Sequence, residues 1–416
     1  MTHHPSPRPL RTAHGPAPSG RRRGVTAVAA AAAALAVAGM LPASASASPA
    51  PSPSPAAATS TAEARHSPDG LRKALERVVA EDRLPGALAS TLDREGRTRA
   101  HTAGVGDLRT GAKVPADGQV RVGSNTKTFT ATVVLQLVGE GRVELDAPVD
   151  RYLPNLLRGD GIDGRAITVR QLLQHTSGLP NYTDQLVEAV FGKGRHTYYQ
   201  PRELIDLALA KKARFAPGAG WEYSNTNYVV AGLLIEKVTG RPFAEQVTQR
   251  VIDRIGLRHT YFPAVGEERI REAHPRGYQV PKPGAPLEDI TELDPSWGWS
   301  AGQLVSTPGD LNRFFSALIG GKLLEPAQLA QMRTTVKVDG PGWQPGTRYG
   351  LGLTSSPLSC GGLKWGHGGN VPGYHSFPGA TDDGRAATIA VTLNRPSAPD
   401  SFDRADALLD TALCAR

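Results

Sequence analysis

Hydrophobic residues recur every three or four positions through the middle of the chain, whereas near both ends they alternate or form short continuous runs. The first pattern is typical of amphipathic helices and the second of strands. The early part of the chain is predicted to form a helix, two strands and a second helix, at 67–79, 86–92, 98–104 and 124–138. The second of these helices begins at or near Ser124, and the two glycines at 139–141 end it.

The same division continues to the C-terminus, with residues 263–300 predicted as irregular because they are rich in proline, glycine and charge. Helices are predicted at 168–174, 201–212, 225–238, 242–252, 307–319 and 403–413. Strands are predicted at 349–353, 363–368, 373–377 and 386–393. Strands at both ends predict an α/β fold of the α+β type, in which one antiparallel sheet (about 67–122 and 300–416) is flanked by helices and interrupted by a helical region (about 123–299).

The N-terminal part differs in composition from the rest. Residues 1–23 carry five arginines and no acid, and an Ala/Val/Leu run follows at 25–41. A retained membrane anchor is one reading, but the run is short and small residues suited to signal cleavage follow it. We therefore expect secretion by the Sec or twin-arginine route, with a signal peptide at 1–47, a Pro/Ser/Ala-rich linker at 48–66 and a single domain at 67–416.

Charge and motif content exclude several classes of function. The formal net charge is +8, but without the five leader arginines it is close to +3, which gives no argument for a nucleic-acid partner. The chain contains neither a His-Glu-x-x-His metal motif nor a Gly-x-x-x-x-Gly-Lys phosphate loop, so no metal or nucleotide cofactor is expected. We expect a monomer with no stable membrane anchor.

The two cysteines, Cys360 and Cys414, suit an oxidising compartment if they are paired, and two free buried thiols are the alternative.

The first candidate for chemistry is the pair Ser124 and Lys127 at the start of a predicted helix. Residues three apart lie on one face of a helix, so the hydroxyl and the amine are neighbours. A neutral amine can take the proton of a serine hydroxyl and so activate it as a nucleophile. A helix N-cap followed by a solvated lysine would give the same pattern.

Two further motifs occur once each. Tyr223 has Asn225 two positions on, just before a predicted helix, where a phenol could carry a proton and an amide could bind a peptide group. A core tyrosine with an N-cap asparagine is the structural alternative.

His367-Gly368-Gly369 lies in a strand-like segment, where small residues permit close approach of a substrate or form a bulge. Lys364 is a local rival to His367, and with a two-residue period the two would point to opposite faces.

Taken together, Ser-x-x-Lys, Tyr-x-Asn and His-x-Gly resemble the penicillin-recognising serine hydrolases. This family includes class C β-lactamases, DD-carboxypeptidases/transpeptidases, D-aminopeptidases and esterases. The resemblance covers nearly all of residues 67–416 and implies a β-lactamase/transpeptidase-like fold. Longer runs that support it lie at 121–127, 135–138, 167–171, 223–227, 230–232, 314–318, 349–353 and 358–360.

The resemblance implies roles for individual residues. Ser124 would be the acylated nucleophile, Lys127 its general base and Tyr223 a proton relay. The oxyanion hole would be formed by the N–H groups of Ser124 and Asn370. Substrate binding would also involve Asn225, Trp297, His367 (rather than Lys364) and Gly369, and Cys360 would be paired with Cys414.

The resemblance also implies a substrate class, namely D-amino-acid-containing peptides or β-lactams. D-Ala-D-Ala carboxypeptidase activity is the first hypothesis. Three positions depart from the related carboxypeptidase pattern, because Gly368 and Asn370 replace threonines and Thr354 replaces an arginine, and these groups would help to bind a substrate carboxylate. D-aminopeptidase, esterase or β-lactamase activity is therefore the alternative, and a non-catalytic cell-wall binding module is a third hypothesis.

Overall fold

The computed structural model of the chain describes residues 68–282, 284–338, 343–394 and 403–415. The predicted signal peptide and linker, 1–66, lie outside the described residues. Within the described ranges no helix combines the length and apolar character needed to cross a bilayer.

The long helices lie where hydrophobic periodicity predicts them. The helix at the nucleophile begins two residues later than expected, because Gly123–Asn125 form a 3-10 turn ahead of it. The described helices are α1 Pro68–Glu81, α2 Thr126–Gly139, α3 Val169–Gln174, α4 Val187–Val190, α5 Pro201–Leu209, α6 Asn225–Thr239, α7 Phe243–Val247, α8 Trp299–Gly302, α9 Pro308–Ile319, α10 Pro326–Met332 and α11 Asp403–Cys414. A π-helical turn, Thr248–Ile252, continues α7.

The strands of the main sheet come from both ends of the chain and pair antiparallel, as predicted. The described strands are β1 Gly86–Leu92, β2 Thr98–Asp107, β3 Ala112–Lys113, β4 Val120–Arg121, β5 Arg158–Gly159, β6 Ile162–Asp163, β7 Tyr278–Gln279, β8 Glu288–Asp289, β9 Val305–Ser306, β10 Val336–Lys337, β11 Arg348–Tyr349, β12 Thr354–Pro357, β13 Leu363–Gly366, β14 Gly369–Val371, β15 Tyr374–Ala380, β16 Ala386–Val391 and β17 Leu393–Asn394. The order in the main sheet is β10-β11-β12-β13-β15-β16-β1-β2-β3, and β14 also pairs with β15. The predicted fold class is confirmed.

The sheet is buried on both faces. Successive side chains of its central strands point to opposite faces, and each face packs into a different hydrophobic cluster. Leu88 and Ala390 pack into the larger cluster, which also holds α2, α6 and α9. Ala87 and Ile389 pack into a second cluster formed with α1 and α11. The site described below lies where α2 meets the β13–β14 side of this sheet.

One strand prediction is wrong, and two short strands were missed. The strand expected at 349–353 ends at Tyr349, and the next four residues form a turn in which Gly350 N–H donates to Leu353 O at 2.7 Å. Leu351 and Leu353 are fully buried, so their alternation reflects a core-packed turn rather than a strand. Short strands β12 and β14, which carry few apolar residues, were not predicted.

A disulfide joins Cys360 to Cys414, which confirms the pairing implied by the family resemblance. Cys360 lies in the turn between β12 and β13, and Cys414 is the last residue of α11. The bond therefore holds the C-terminal helix against the main sheet.

Candidate active site

The nucleophile candidate Ser124 lies in the middle of the 3-10 turn Gly123–Asn125. Gly123 has φ +51, and a Cβ there would lie 2.9 Å from the backbone N of Asn370, so both conformation and space favour glycine. The side-chain amide of Asn125 donates to Val122 O at 2.7 Å and to Ser376 Oγ at 2.8 Å. The turn is thus fixed against β14 and β15.

The amine of Lys127 lies one helical turn on, with its Nζ 3.0 Å from Ser124 Oγ. It also contacts two groups that can only accept hydrogen bonds, Asn225 Oδ1 at 2.6 Å and Ala301 O at 2.9 Å. A neutral amine has two N–H donors and one lone pair. Two donors match the two obligate acceptors, which leaves the lone pair for the hydroxyl proton of Ser124.

Burial favours the neutral form of this amine. Lys127 is fully buried, and desolvation lowers its pKa well below the ordinary lysine value. The geometry and the electrostatics therefore agree that Lys127 can act as a general base.

The phenol of Tyr223 completes this group. Its ring centroid lies 4.8 Å from Lys127 Nζ, and it borders the same cleft as Ser124. Desolvation raises the pKa of Tyr223 above the ordinary tyrosine value, and the neighbouring Ser124 side chain lowers it by less. The hydroxyl keeps its proton and is placed to donate it near Ser124.

Asn225, the first residue of α6, orients the amine rather than facing the cleft. Its Oδ1 accepts from Lys127, while its Nδ2 donates to Asn181 Oδ1 at 3.3 Å and to Thr183 Oγ1 at 3.2 Å. These contacts fix the direction of the amide. Sequence reasoning missed Asn181 and Thr183, because polar residues in a loop some forty positions away carry no local signal.

The backbone N–H of Asn370 is aimed at the nucleophile turn by strand register. Val371 and Tyr374 close a two-residue hairpin, so the next pair, Asn370 and His375, does not exchange hydrogen bonds. Asn370 N–H therefore points away from β15. The N–H of Ser124 has no acceptor inside its own helix either, because it lies in the first turn. Together they can form an oxyanion hole.

Gly369 permits this approach. A Cβ on Gly369 would lie 1.9 Å from Val122 O, whereas one on Gly368 would meet nothing nearer than Ser376 O at 3.8 Å. Of the two glycines, only Gly369 is required by packing.

A buried pair of histidines lies at the cleft, which His367 lines and His175 does not. His175 ends α3 with φ +62, and its Nδ1 accepts from Ser224 N–H at 3.2 Å and from Asn227 Nδ2 at 3.0 Å. The neutral ring must then carry its proton on Nε2, which lies 3.1 Å from Tyr349 Oη. Sequence reasoning treated His175 only as part of a helix end.

The hydroxyl of Tyr349 links this ring to His367. Because it accepts from His175, Tyr349 Oη–H donates to His367 Nε2 at 2.9 Å, and His367 Nδ1–H donates to Gly368 O at 2.7 Å. Burial, together with the nearby Lys127 amine, lowers the pKa of His367 to about 3. His367 is therefore neutral, with both ring nitrogens engaged.

These groups open onto a cleft of about 760 Å³. Ser124, Tyr223, His367, Gly369 and Asn370 line it. Asn225 and Trp297 are not among its lining residues, and Trp297 lies half-buried in the turn Pro295–Trp297. The described residues include no group of three His, Cys, Asp or Glu side chains placed to hold a metal ion.

Lys364 also lines the cleft, where its Nζ pairs with Asp406 Oδ1 at 2.8 Å. His367 has different partners, Tyr349 and Gly368, so Lys364 and His367 do not share the same contacts.

Comparison with known proteins decides the family. The sequence model of the family described as Beta-lactamase matches residues 71–413. The chain belongs to the beta-lactamase family. Its fold is therefore that of a serine hydrolase of the beta-lactamase and penicillin-binding protein family.

Similar members of the family have different described activities. A solved D-stereospecific amidohydrolase from Streptomyces sp. is 42% identical, with a TM-score of 0.72, and the match covers 78% of this chain and 93% of that one. Esterase EstB of Burkholderia gladioli is 30% identical over 71% of this chain and 84% of its own length. A penicillin-binding protein of Bacillus subtilis is 27% identical over 67% of this chain, and this chain spans only 61% of its length.

Proposed function

We propose that this protein is a serine hydrolase that forms an acyl-enzyme on Ser124 and cleaves amides or esters of D-amino acids. The observation that carries the proposal is the Lys127 amine, held by two obligate acceptors with its lone pair available to Ser124. The D configuration is taken from the described activity of the Streptomyces relative.

In the proposed acylation, Ser124, Lys127 and Tyr223 together pass one proton from the nucleophile to the leaving group. Lys127 Nζ takes the proton of Ser124 Oγ, which attacks the substrate carbonyl carbon. The resulting oxyanion is stabilised by the N–H groups of Ser124 and Asn370. Tyr223 gives its proton to the leaving nitrogen or oxygen as the scissile bond breaks, and Lys127 reprotonates Tyr223. Water then attacks the acyl-enzyme, and the proton transfers run in reverse.

Charges in the cleft favour a neutral leaving group. A carboxypeptidase must bind the free carboxylate of its leaving residue, which calls for a cation or several donors. Among the described lining residues, His367 is neutral and Lys364 is paired with Asp406. An amide or ester has no carboxylate at this position and needs no such partner.

D-Ala-D-Ala carboxypeptidase activity on peptidoglycan-type peptides is the second candidate. Lys364 lies in the same cleft as Ser124 and would be available to a carboxylate if it left Asp406. The likeness to a penicillin-binding protein supports the same candidate. The sequence also suggests that the protein is secreted and monomeric, and both properties are part of the proposal.

A substrate panel tests the proposal. Turnover of a D-amino-acid amide, the matching methyl ester, a D-Ala-D-Ala peptide and a cephalosporin is compared for wild type and Ser124→Ala. We expect the amide and the ester to be preferred and the variant to be inactive and unlabelled by substrate in mass spectrometry. Preference for the D-Ala-D-Ala peptide would select the second candidate, and turnover that survives in Ser124→Ala would exclude Ser124 as the nucleophile.

A further inference from the structure

One end of the cleft is built around the half-buried side chain of Trp343. We call it the tryptophan end and define it by the lining residues Trp343, Gln344, Pro345, Thr347 and Thr354. The described residues of this end carry no charged side chain. The ionic residues of the lining, Lys364, Asp403 and Asp406, belong to β13 and α11 instead.

Aromatic neighbours hold the indole of Trp343 in place. Trp221 meets it edge-on with centroids 5.6 Å apart, and Tyr349 meets it at 6.3 Å with perpendicular rings. Tyr223 lies 6.2 Å away on the side of the nucleophile. A ring supported in this way, and still half exposed to the cleft, is a preorganised surface for another ring.

The hydroxyl groups around Trp343 are already used within the protein. Thr354 Oγ1 donates to Gly366 O at 2.8 Å, and Thr347 Oγ1 bonds to Ser356 Oγ at 2.9 Å. The donor hydrogen of Thr354 is therefore not available to a substituent placed here. An aromatic group gains from burial and needs no such donor.

The position of Tyr223 indicates which part of a substrate reaches this end. In the proposed reaction Tyr223 protonates the leaving group, which must then lie beside its hydroxyl. The tryptophan end adjoins the Tyr223 ring, so it lies on the leaving-group side of Ser124.

We propose that the tryptophan end is a leaving-group subsite in which Trp343 binds an aromatic ring, so that the substrates are D-aminoacyl esters or amides of aromatic alcohols or amines. This inference rests on the proposed function and refines it. Trp343 acts here as a specificity-determining residue that contacts the departing group.

Esters of one D-amino acid test the subsite without changing the intrinsic chemistry. Benzyl and methyl alcohol are nearly equal in acidity, so the ratio of kcat/KM for the benzyl ester to that for the methyl ester reports binding of the ring. We expect a ratio of about ten or more, from the burial and ring-contact energies of an aromatic group. A cyclohexylmethyl ester, which is apolar but not planar, should fall clearly below the benzyl ester.

Two variants and a matched control complete the experiment. Trp343→Ala should reduce the benzyl-to-methyl ratio to near one, and Trp343→Phe should retain most of it even if the alanine variant folds poorly. Tyr198→Ala removes an exposed aromatic side chain that does not line the cleft and should keep the wild-type ratio.

Other outcomes would overturn the inference. A wild-type ratio near one, an unchanged ratio in Trp343→Ala, or equal use of the cyclohexylmethyl ester would each do so. If the methyl ester is hydrolysed in a Ser124-dependent way without a benzyl advantage, only the subsite is excluded. If no D-aminoacyl ester or amide is hydrolysed, the proposed function itself fails.

Discussion

The Nζ atom of Lys127 lies 2.6 Å from Oδ1 of Asn225, the shortest of the polar contacts of this amine. The amide oxygen of Asn225 satisfies an N–H group without carrying a formal charge. A carboxylate at the same place would instead favour the protonated amine. The uncharged partner is therefore suited to a lysine that has to act as a base.

Asn225→Asp tests this relationship. The new carboxylate should raise the pKa of Lys127, so a smaller fraction of the amine is neutral at pH 7. Because the base acts only when unprotonated, activity rises as pH increases through this pKa, and the acid limb of the kcat/KM profile should move to higher pH. We expect kcat/KM at pH 7 to fall about tenfold for each unit by which the raised pKa exceeds 7.

Thr183→Val is the control for this change. It removes a neutral contact to the Asn225 amide and introduces no charge, so it should lower activity without moving the acid limb. If the acid limb of the kcat/KM profile of Asn225→Asp stays at its wild-type position, Lys127 does not titrate as the catalytic base.

The hydroxyl of Tyr349 connects two buried histidines, and Tyr349→Phe removes it. His175 Nε2–H and His367 Nε2 would each lose a partner, at about 1–3 kcal/mol per unsatisfied group. The segment that carries Asn370 N–H should loosen, and kcat/KM should fall about tenfold, which is less than the roughly 10²–10³-fold loss when an oxyanion donor is removed outright.

Urea denaturation and steady-state kinetics measure these two effects. Tyr278→Phe is a suitable comparison, because its buried hydroxyl accepts from Leu108 N–H away from the cleft. That variant should lose stability and keep kcat/KM. A Tyr349→Phe enzyme with full activity would show that the histidine pair does not position the site.

Gly368 and Gly369 form a natural pair for comparison. Gly369→Ala would place a Cβ 1.9 Å from Val122 O, so the β14 segment and the nucleophile turn must separate. We expect a loss of about 3 kcal/mol in the free energy of unfolding and a large loss of kcat/KM. Gly368→Ala enters open space and should change stability by less than about 1 kcal/mol. Equal effects of the two substitutions on thermal unfolding would contradict the packing argument.

The Cys360–Cys414 bond closes a loop across a sequence separation of 54 residues. The chain-entropy account assigns about 4 kcal/mol to closing a loop of this length. Replacing both cysteines by serine should lower the free energy of unfolding by about this amount in urea titrations. Reduction of the wild type with dithiothreitol should bring it to the same midpoint, and a double variant as stable as the oxidised protein would refute the estimate.

Much of the fold was predictable from local patterns. Apolar spacing from Phe129 to Val138 predicts α2, which is buried nearly all round rather than on one face, and the strands near both termini predict the mixed architecture. The turn at 350–353 was mistaken for a strand, because alternating buried leucines look the same in both. The short strand β14 escaped prediction, since its pairing depends on β15 rather than on its own composition.

The sequence alone determined which residues carry the candidate chemistry, because Ser124, Lys127 and Tyr223 occur in single-copy motifs whose spacing and order are characteristic of one family. Tertiary structure decided what those residues can do. The acceptors Asn225 Oδ1 and Ala301 O lie 98 and 174 positions from Lys127, and they leave its lone pair for Ser124. The neutral state of His367 and the ring surface at Trp343 likewise arise from contacts distant in sequence, since burial and hydrogen bonding exist only once the chain has folded.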